Sequence, residues 1–167
     1  MNTKGSILKE ENKIKNEDIE HVIVFDQVGK VLVRGSGCKN EVKLTDKQID
    51  FLPDSITSHN HPQGTSFSLA DILITFECLI KEAHVVTSHN ITYVLEITDE
   101  TVYDFIDYEI LEEEYNRLHH EYYNSMILGH PKKKHTSNYQ KLFSRILTDL
   151  FENIEGINYY EIGEYKE

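Results

Sequence analysis

Apolar residues fall along this chain in short blocks that alternate between two periods. From His21 the run HVIVFD, the link QVGK and the run VLVRG place two β-rich stretches around a Gly-containing turn, which predicts a hairpin. The stretch TDKQIDFL, Thr45 to Leu52, begins on a capping Thr, has one apolar face and stops before Pro53, as a short helix would. A short strand is expected over Ile56 to His59, then a helix from Ser68 to about Glu82 that Ile72, Ile74, Phe76, Leu79 and Ile80 press onto a sheet. HVVTS and ITYVLEI, separated by His89 and Asn90, predict a second hairpin with a two-residue loop.

Beyond Val102 the spacing becomes helical. Tyr108, Leu111, Tyr115, Leu118 and Tyr122 share one face of a long amphipathic helix. GHPKKKH, Gly129 to His135, breaks it, and Tyr139, Leu142, Phe143, Ile146, Leu147, Leu150, Phe151 and Ile154 mark another helix. NYYEIGEY then reads as a last strand that rejoins the sheet. Residues 1–17 carry too little apolar surface to offset their ordering and are read as a loose or weakly helical tail. The expected architecture is α/β: a flexible tail over 1–17, a core over 18–99, and a helical extension over 100–167 that packs on it.

Composition narrows the function. With 17 Lys and Arg against 29 Asp and Glu in 167 residues, the net charge of -12 repels phosphate backbones, so nucleic acid is not an expected partner. Two distant cysteines, Cys38 and Cys78, suit neither a disulfide framework nor a C-x-x-C ligand pair and are read as idle or buried thiols. No signal-peptide core or run of about 20 apolar residues is seen, so a soluble, cytoplasmic protein without a membrane partner is expected. Gly35-Ser36-Gly37 lacks the third glycine and the helix of a dinucleotide fingerprint and is read as a turn.

The chemistry concentrates in SITSHNHPQGTSFSLADILI, Ser55 to Ile74. Residues two apart on a strand face the same way, so His59 and His61 present both imidazoles to one side and Asn60 to the other. Pro62 and Gly64 let the chain leave the strand, and Ser68 opens the helix with Asp71 in its first turn. If the loop folds back, Asp71 joins the histidines, and two nitrogens plus one carboxylate with a fourth position for water is the donor set of a catalytic zinc. S-x-x-D is equally a capping box that satisfies helix N–H groups, and the two roles are compatible.

The string HNHPQGTSFSLAD resembles the H-x-H-P…S-x-x-D motif of the JAMM (MPN+) metallopeptidases. Its HNHP opening is closest to the prokaryotic branch of RadC-like proteins and of domains in phage head-morphogenesis proteins. The loop between His61 and Asp71 is one residue shorter than in the commonest form of the motif, a length that resembles the phage-like branch. From Glu20 to Ile97 the order of hairpin, short helix, motif strand, helix and hairpin also follows the family; beyond Asp99 nothing matches it. The resemblance implies an MPN-type mixed sheet flanked by helices, with zinc (Zn2+) bound by His59, His61 and Asp71. It also implies that Ser68 helps hold an oxyanion, and that a glutamate from an upstream strand acts as general base. Glu20 stands in the family's place and shares strand parity with Val22 and Val24, with Glu17 and Glu41 as alternatives.

The activity so implied is hydrolysis of a peptide or isopeptide amide bond in a protein or peptide substrate. The alternative is a non-catalytic MPN-like interaction module, of phage or mobile-element descent, that binds a partner or a second copy through its C-terminal helices. A nuclease of the HNH kind shares only the letters His59-Asn60-His61 and is disfavoured by the charge. His120 to Asn124 has the outline of H-E-x-x-H, but Asn124 stands in the second ligand's place, which leaves a solvated helix face. His130 and His135 flank a lysine run and are read as surface charge, and the tyrosine stripe from Tyr108 to Tyr122 as a helix contact.

Overall fold

The computed structural model describes residues 3–39, 41–129 and 135–163. The β-rich blocks become β1 (His21–Phe25), β2 (Val31–Ser36), β3 (Ile56–Asn60), β4 (Glu82–Val86), β5 (Thr92–Ile97) and β6 (Ile157–Ile162). They form one mixed sheet in the order β2-β1-β3-β4-β5-β6. Only β3 and β4 run parallel, joined by a crossover helix, α3 (Leu69–Glu77), while every other pair is antiparallel. The protein is therefore mixed α/β, with helices on both faces of a six-stranded sheet.

The larger core lies on one face. There α3, α5 (Tyr108–Gly129) and α6 (His135–Phe151) pack Phe76, Leu118, Ile146 and Phe151 against Val85, Tyr93 and Leu95. Residues 108–126 and 140–157 thus complete the same core as the sheet, and β6 extends that sheet beyond β5.

The opposite face carries α1 (Thr3–Ile14), which corrects the expectation of a loose tail over 1–17. Ile7 and Ile14 are buried against Ile23, Phe25, Ile56 and Val86. Between them Glu11 is also buried, where it accepts hydrogen bonds from the Ser58 hydroxyl at 3.1 Å and from His84 Nδ1 at 2.6 Å. His84 Nε2 donates in turn to Glu82 at 2.5 Å. Burial favours a neutral ring, yet the carboxylates of Glu11 and Glu82 outweigh it and push the His84 pKa up to about 9.

Several boundaries shift for local reasons. The crossover helix ends at Glu77 rather than Glu82 because Leu79 turns into the left-handed region (φ 54°), which frees Glu82 to open β4. The helix over 45–52 shrinks to one turn, α2 (Asp46–Ile49). The loop from β4 to β5 has five residues, Thr87 to Ile91, rather than two; it is closed by Thr87 N–H donating to Ile91 O, with Asn90 at φ 60°. The long helix begun at Val102 is divided into α4 (Val102–Phe105) and α5, because Ile106 is extended and the Asp107 carboxylate caps the N–H groups of Glu109 and Ile110. Residues 130–134, and with them His130, lie outside the described residues, as do the side chains of 127–139, including His135.

A histidine held protonated between the buried Glu11 and the half-buried Glu82 makes a definite prediction. Its folded pKa lies above the ordinary 6.5, so its stabilisation is complete below pH 6.5 and is lost as the pH rises through about 9. Urea denaturation of the wild type is expected to show stability falling over that interval. His84→Ala should cost about 3–5 kcal/mol, because it leaves Glu11 buried without its cation, and should flatten the pH dependence.

Candidate metal centre

The alternation of β3 separates two sets of side chains. Ile56 and Ser58 face α1 and Asn60 the segment that follows it, whereas Thr57 and His59 face the cavity under α3. His61 lies one step past the strand, but its N–H still pairs with Val86 O at 3.1 Å, so its ring stays on the side of His59. The chain then turns at once: Gly64 N–H donates to His61 O at 2.9 Å, and Gly64 adopts φ 74°. A Cβ there would also meet Gln140 Nε2 at 2.5 Å and the His89 ring at 2.6 Å, so both backbone and space require glycine.

The turn returns the chain to the head of α3. Ser68 is its N-cap and Asp71 its third residue, and the capping box forms as expected. Asp71 Oδ2 accepts from Ser68 N at 2.7 Å and from Ser68 Oγ at 2.6 Å, while Ser68 Oγ accepts from Asp71 N at 3.3 Å. The Ser68 proton that was expected to meet a substrate oxygen is thus given to Asp71.

The ligand atoms of three residues converge. His59 Nε2 and His61 Nε2 are 3.0 Å apart, His59 Nε2 lies 3.4 Å from Asp71 Oδ1, and His61 Nε2 lies 3.5 Å from Asp71 Oδ2. The two Asp71 distances end on different oxygens of its carboxylate; with one ligand atom taken from each residue, the three atoms lie within 4.8 Å of one another, a grouping that could hold a metal ion. The chemistry fits as well. His61 Nδ1 faces Thr65 O at 3.1 Å and Thr65 Oγ1 at 3.3 Å; with the ring proton on Nδ1, donated to the carbonyl, the Nε2 lone pair is left toward the cluster. Burial opposes the charge on Asp71, but His59 and His61 hold its carboxyl well below the usual range. Burial likewise lowers the His61 pKa, and its contacts with Asp71 more than reverse that. Among the described residues the metal-capable group comprises these three side chains, with no fourth protein ligand.

Glu20 lines the same cavity as His59 and Asp71. The Val22–His59 pairing, continued by two residues, brings Glu20 beside His61. Burial raises its pKa, an effect that His61 and His59 partly offset. Glu41 instead points to solvent and pairs with Lys43 at 3.4 Å, and neither it nor Glu17 lines that cavity.

Two supports were not visible in the motif. Asn60, fully buried, accepts from His21 N at 2.7 Å and donates to Ile19 O at 2.9 Å and Glu17 O at 3.2 Å, so the residue between the two histidines pins the chain on both sides of Glu20. The loop over 62–67 is held by the C-terminal elements. Gln140 of α6 donates to Gln63 O at 3.4 Å, and Ser66 meets Tyr159 of β6 at 2.9 Å, which in turn meets Ser144 at 3.2 Å. The pair His120 and Asn124 bond to each other on the exposed face of α5, 2.9 Å apart, as a solvated surface would allow.

Removing the Asn60 amide should loosen this segment without touching a ligand. Asn60→Ala is expected to cost about 1–3 kcal/mol and to raise hydrogen exchange at the His21 amide, with divalent-metal affinity within threefold of wild type. An unchanged His21 amide would contradict the assignment. Compared with protein-family models, with curated proteins and with solved structures, the chain shows no match in any of the three.

Proposed function

We propose that the protein is a hydrolase of the JAMM type that cleaves an amide bond, peptide or isopeptide, with one zinc ion held by His59, His61 and Asp71. The observation that carries this reading is the convergence of two imidazole nitrogens, 3.0 Å apart, on one carboxylate, whose two oxygens lie 3.4 and 3.5 Å from them. The order of hairpin, short helix, motif strand, crossover helix and hairpin supports an MPN-type fold.

A zinc ion in such a set, with an open position, supplies a water of pKa about 7 and a Lewis acid for a carbonyl. The remaining work belongs to the chain. Glu20, with its carboxyl raised by burial, takes the proton of the attacking water and delivers it to the leaving amine. Thr65 O orients the His61 ring by accepting from its Nδ1, and Ser68 fixes the carboxylate of Asp71. A part for Ser68 in holding the substrate oxygen requires its hydroxyl to turn away from Asp71. That commitment of Ser68, together with exposed Phe105, Ile110 and Tyr123 along the C-terminal helices, favours the second reading: a non-catalytic module that contacts a partner through them.

Metal analysis and hydrolysis assays separate the two. One zinc per chain is expected, with hydrolysis of a peptide or isopeptide-linked substrate. His59→Ala should lose both metal and activity, whereas Glu20→Gln should keep the metal and lose roughly 10²–10⁴-fold in rate. A wild type that takes up no zinc would overturn the proposal, and a zinc-loaded protein inert on the whole panel would favour the module.

A further inference from the structure

We infer that the cavity beside the metal cluster is a specificity pocket for one uncharged, apolar side chain flanking the amide bond; this rests on the hydrolase reading above. The cavity measures about 250 Å³, and His59, Asp71 and Glu20 form part of its wall. A carbonyl brought to the cluster therefore has its neighbouring side chain at the cavity mouth.

The rest of the wall selects for one chemistry. Val22 and Ala83 come from the sheet, Leu44 and Ile49 from the segment before and within α2, and Ile74 from α3. Apart from the three residues of the cluster end, no charged side chain lines the cavity. Burial pushes the Cys78 thiol up, so this lining group is neutral near pH 7. Thr75 Oγ1 is already committed, donating to Asp71 O at 2.8 Å. A lysine or an acid placed there would be desolvated with no opposite charge along the apolar walls, whereas a leucine or phenylalanine would exchange water for hydrocarbon. An apolar cavity of about 150 Å³ accepts benzene, so the space here holds an aliphatic or aromatic side chain. Ile49 and Ile74 are 42% and 47% exposed at its rim, surface that such a side chain would cover.

The inference can be tested with and without metal. Blocked dipeptides identical except for leucine or glycine are titrated into the metal-free protein and followed by NMR shifts. The leucyl probe should bind at least tenfold more tightly than the glycyl one and should shift Leu44, Ile49 and Ala83. With zinc bound, kcat/KM should favour leucine over glycine, lysine or aspartate beside the cleaved bond by roughly ten- to a hundredfold. Ile74→Asp and Ile49→Asp, at half-exposed rim positions where a thermal melt can verify folding, should each lower the leucyl preference about tenfold. Equal binding of the two probes, or shifts confined to another surface, would overturn the pocket and leave the zinc assay standing. Leucyl binding by a wild type that takes up no zinc when zinc is supplied would uphold the pocket's chemistry and sink the hydrolase reading instead.

Discussion

Two imidazole nitrogens and a carboxylate held within 3.5 Å of one another repel or attract according to what sits between them, and the fold is arranged to keep them there. Three constraints enforce the approach. The strand period puts His59 and His61 on one side, the left-handed Gly64 reverses the chain, and the Ser68 cap fixes the Asp71 carboxylate at the head of α3. None of these acts alone, because each brings a different part of the group into place. The crossover that makes β3 and β4 parallel is the feature that places a helix N-terminus over the end of the motif strand.

The two faces of β3 divide the labour. The cavity side carries His59, a member of the group that could hold a metal ion, and the α1 side anchors the segment that presents Glu20. Asn60 is the link between them, since a single buried amide fixes the backbone before and after that glutamate. Glu11, Ser58 and His84 tie α1 to the same strand and its neighbour, so the helix at the start of the chain is part of the support for the site. The C-terminal elements hold the loop from the other direction through Gln140 and Tyr159.

The parts legible in the sequence were those governed by near neighbours. The β-rich runs HVIVF and ITYVLEI, the Thr45 and Ser68 caps and the same-side histidines depend on residues a few positions apart, and the structure shows each of them. The parts that escaped depend on distant partners. Glu11 on the inner face of α1 looks like a solvated residue until His84, 73 positions away, supplies its cation. Asn60 looks like a spacer because its partners are backbone groups, which no residue type reveals. Asp107 was hidden for the opposite reason: the apolar rhythm runs on across it, and only its cap shows that a new helix begins. The direction of the Ser68 hydroxyl also lay beyond the motif, since S-x-x-D describes both a cap and an oxyanion donor.

The measurement closest to the central claim is the X-ray absorption spectrum of the purified protein at the zinc edge. The account predicts one site with two imidazole nitrogens and oxygen donors at about 2.0–2.1 Å, altered in His61→Ala and in Asp71→Ala. Sulfur in the shell, four histidine nitrogens, or a spectrum indifferent to both substitutions would contradict it.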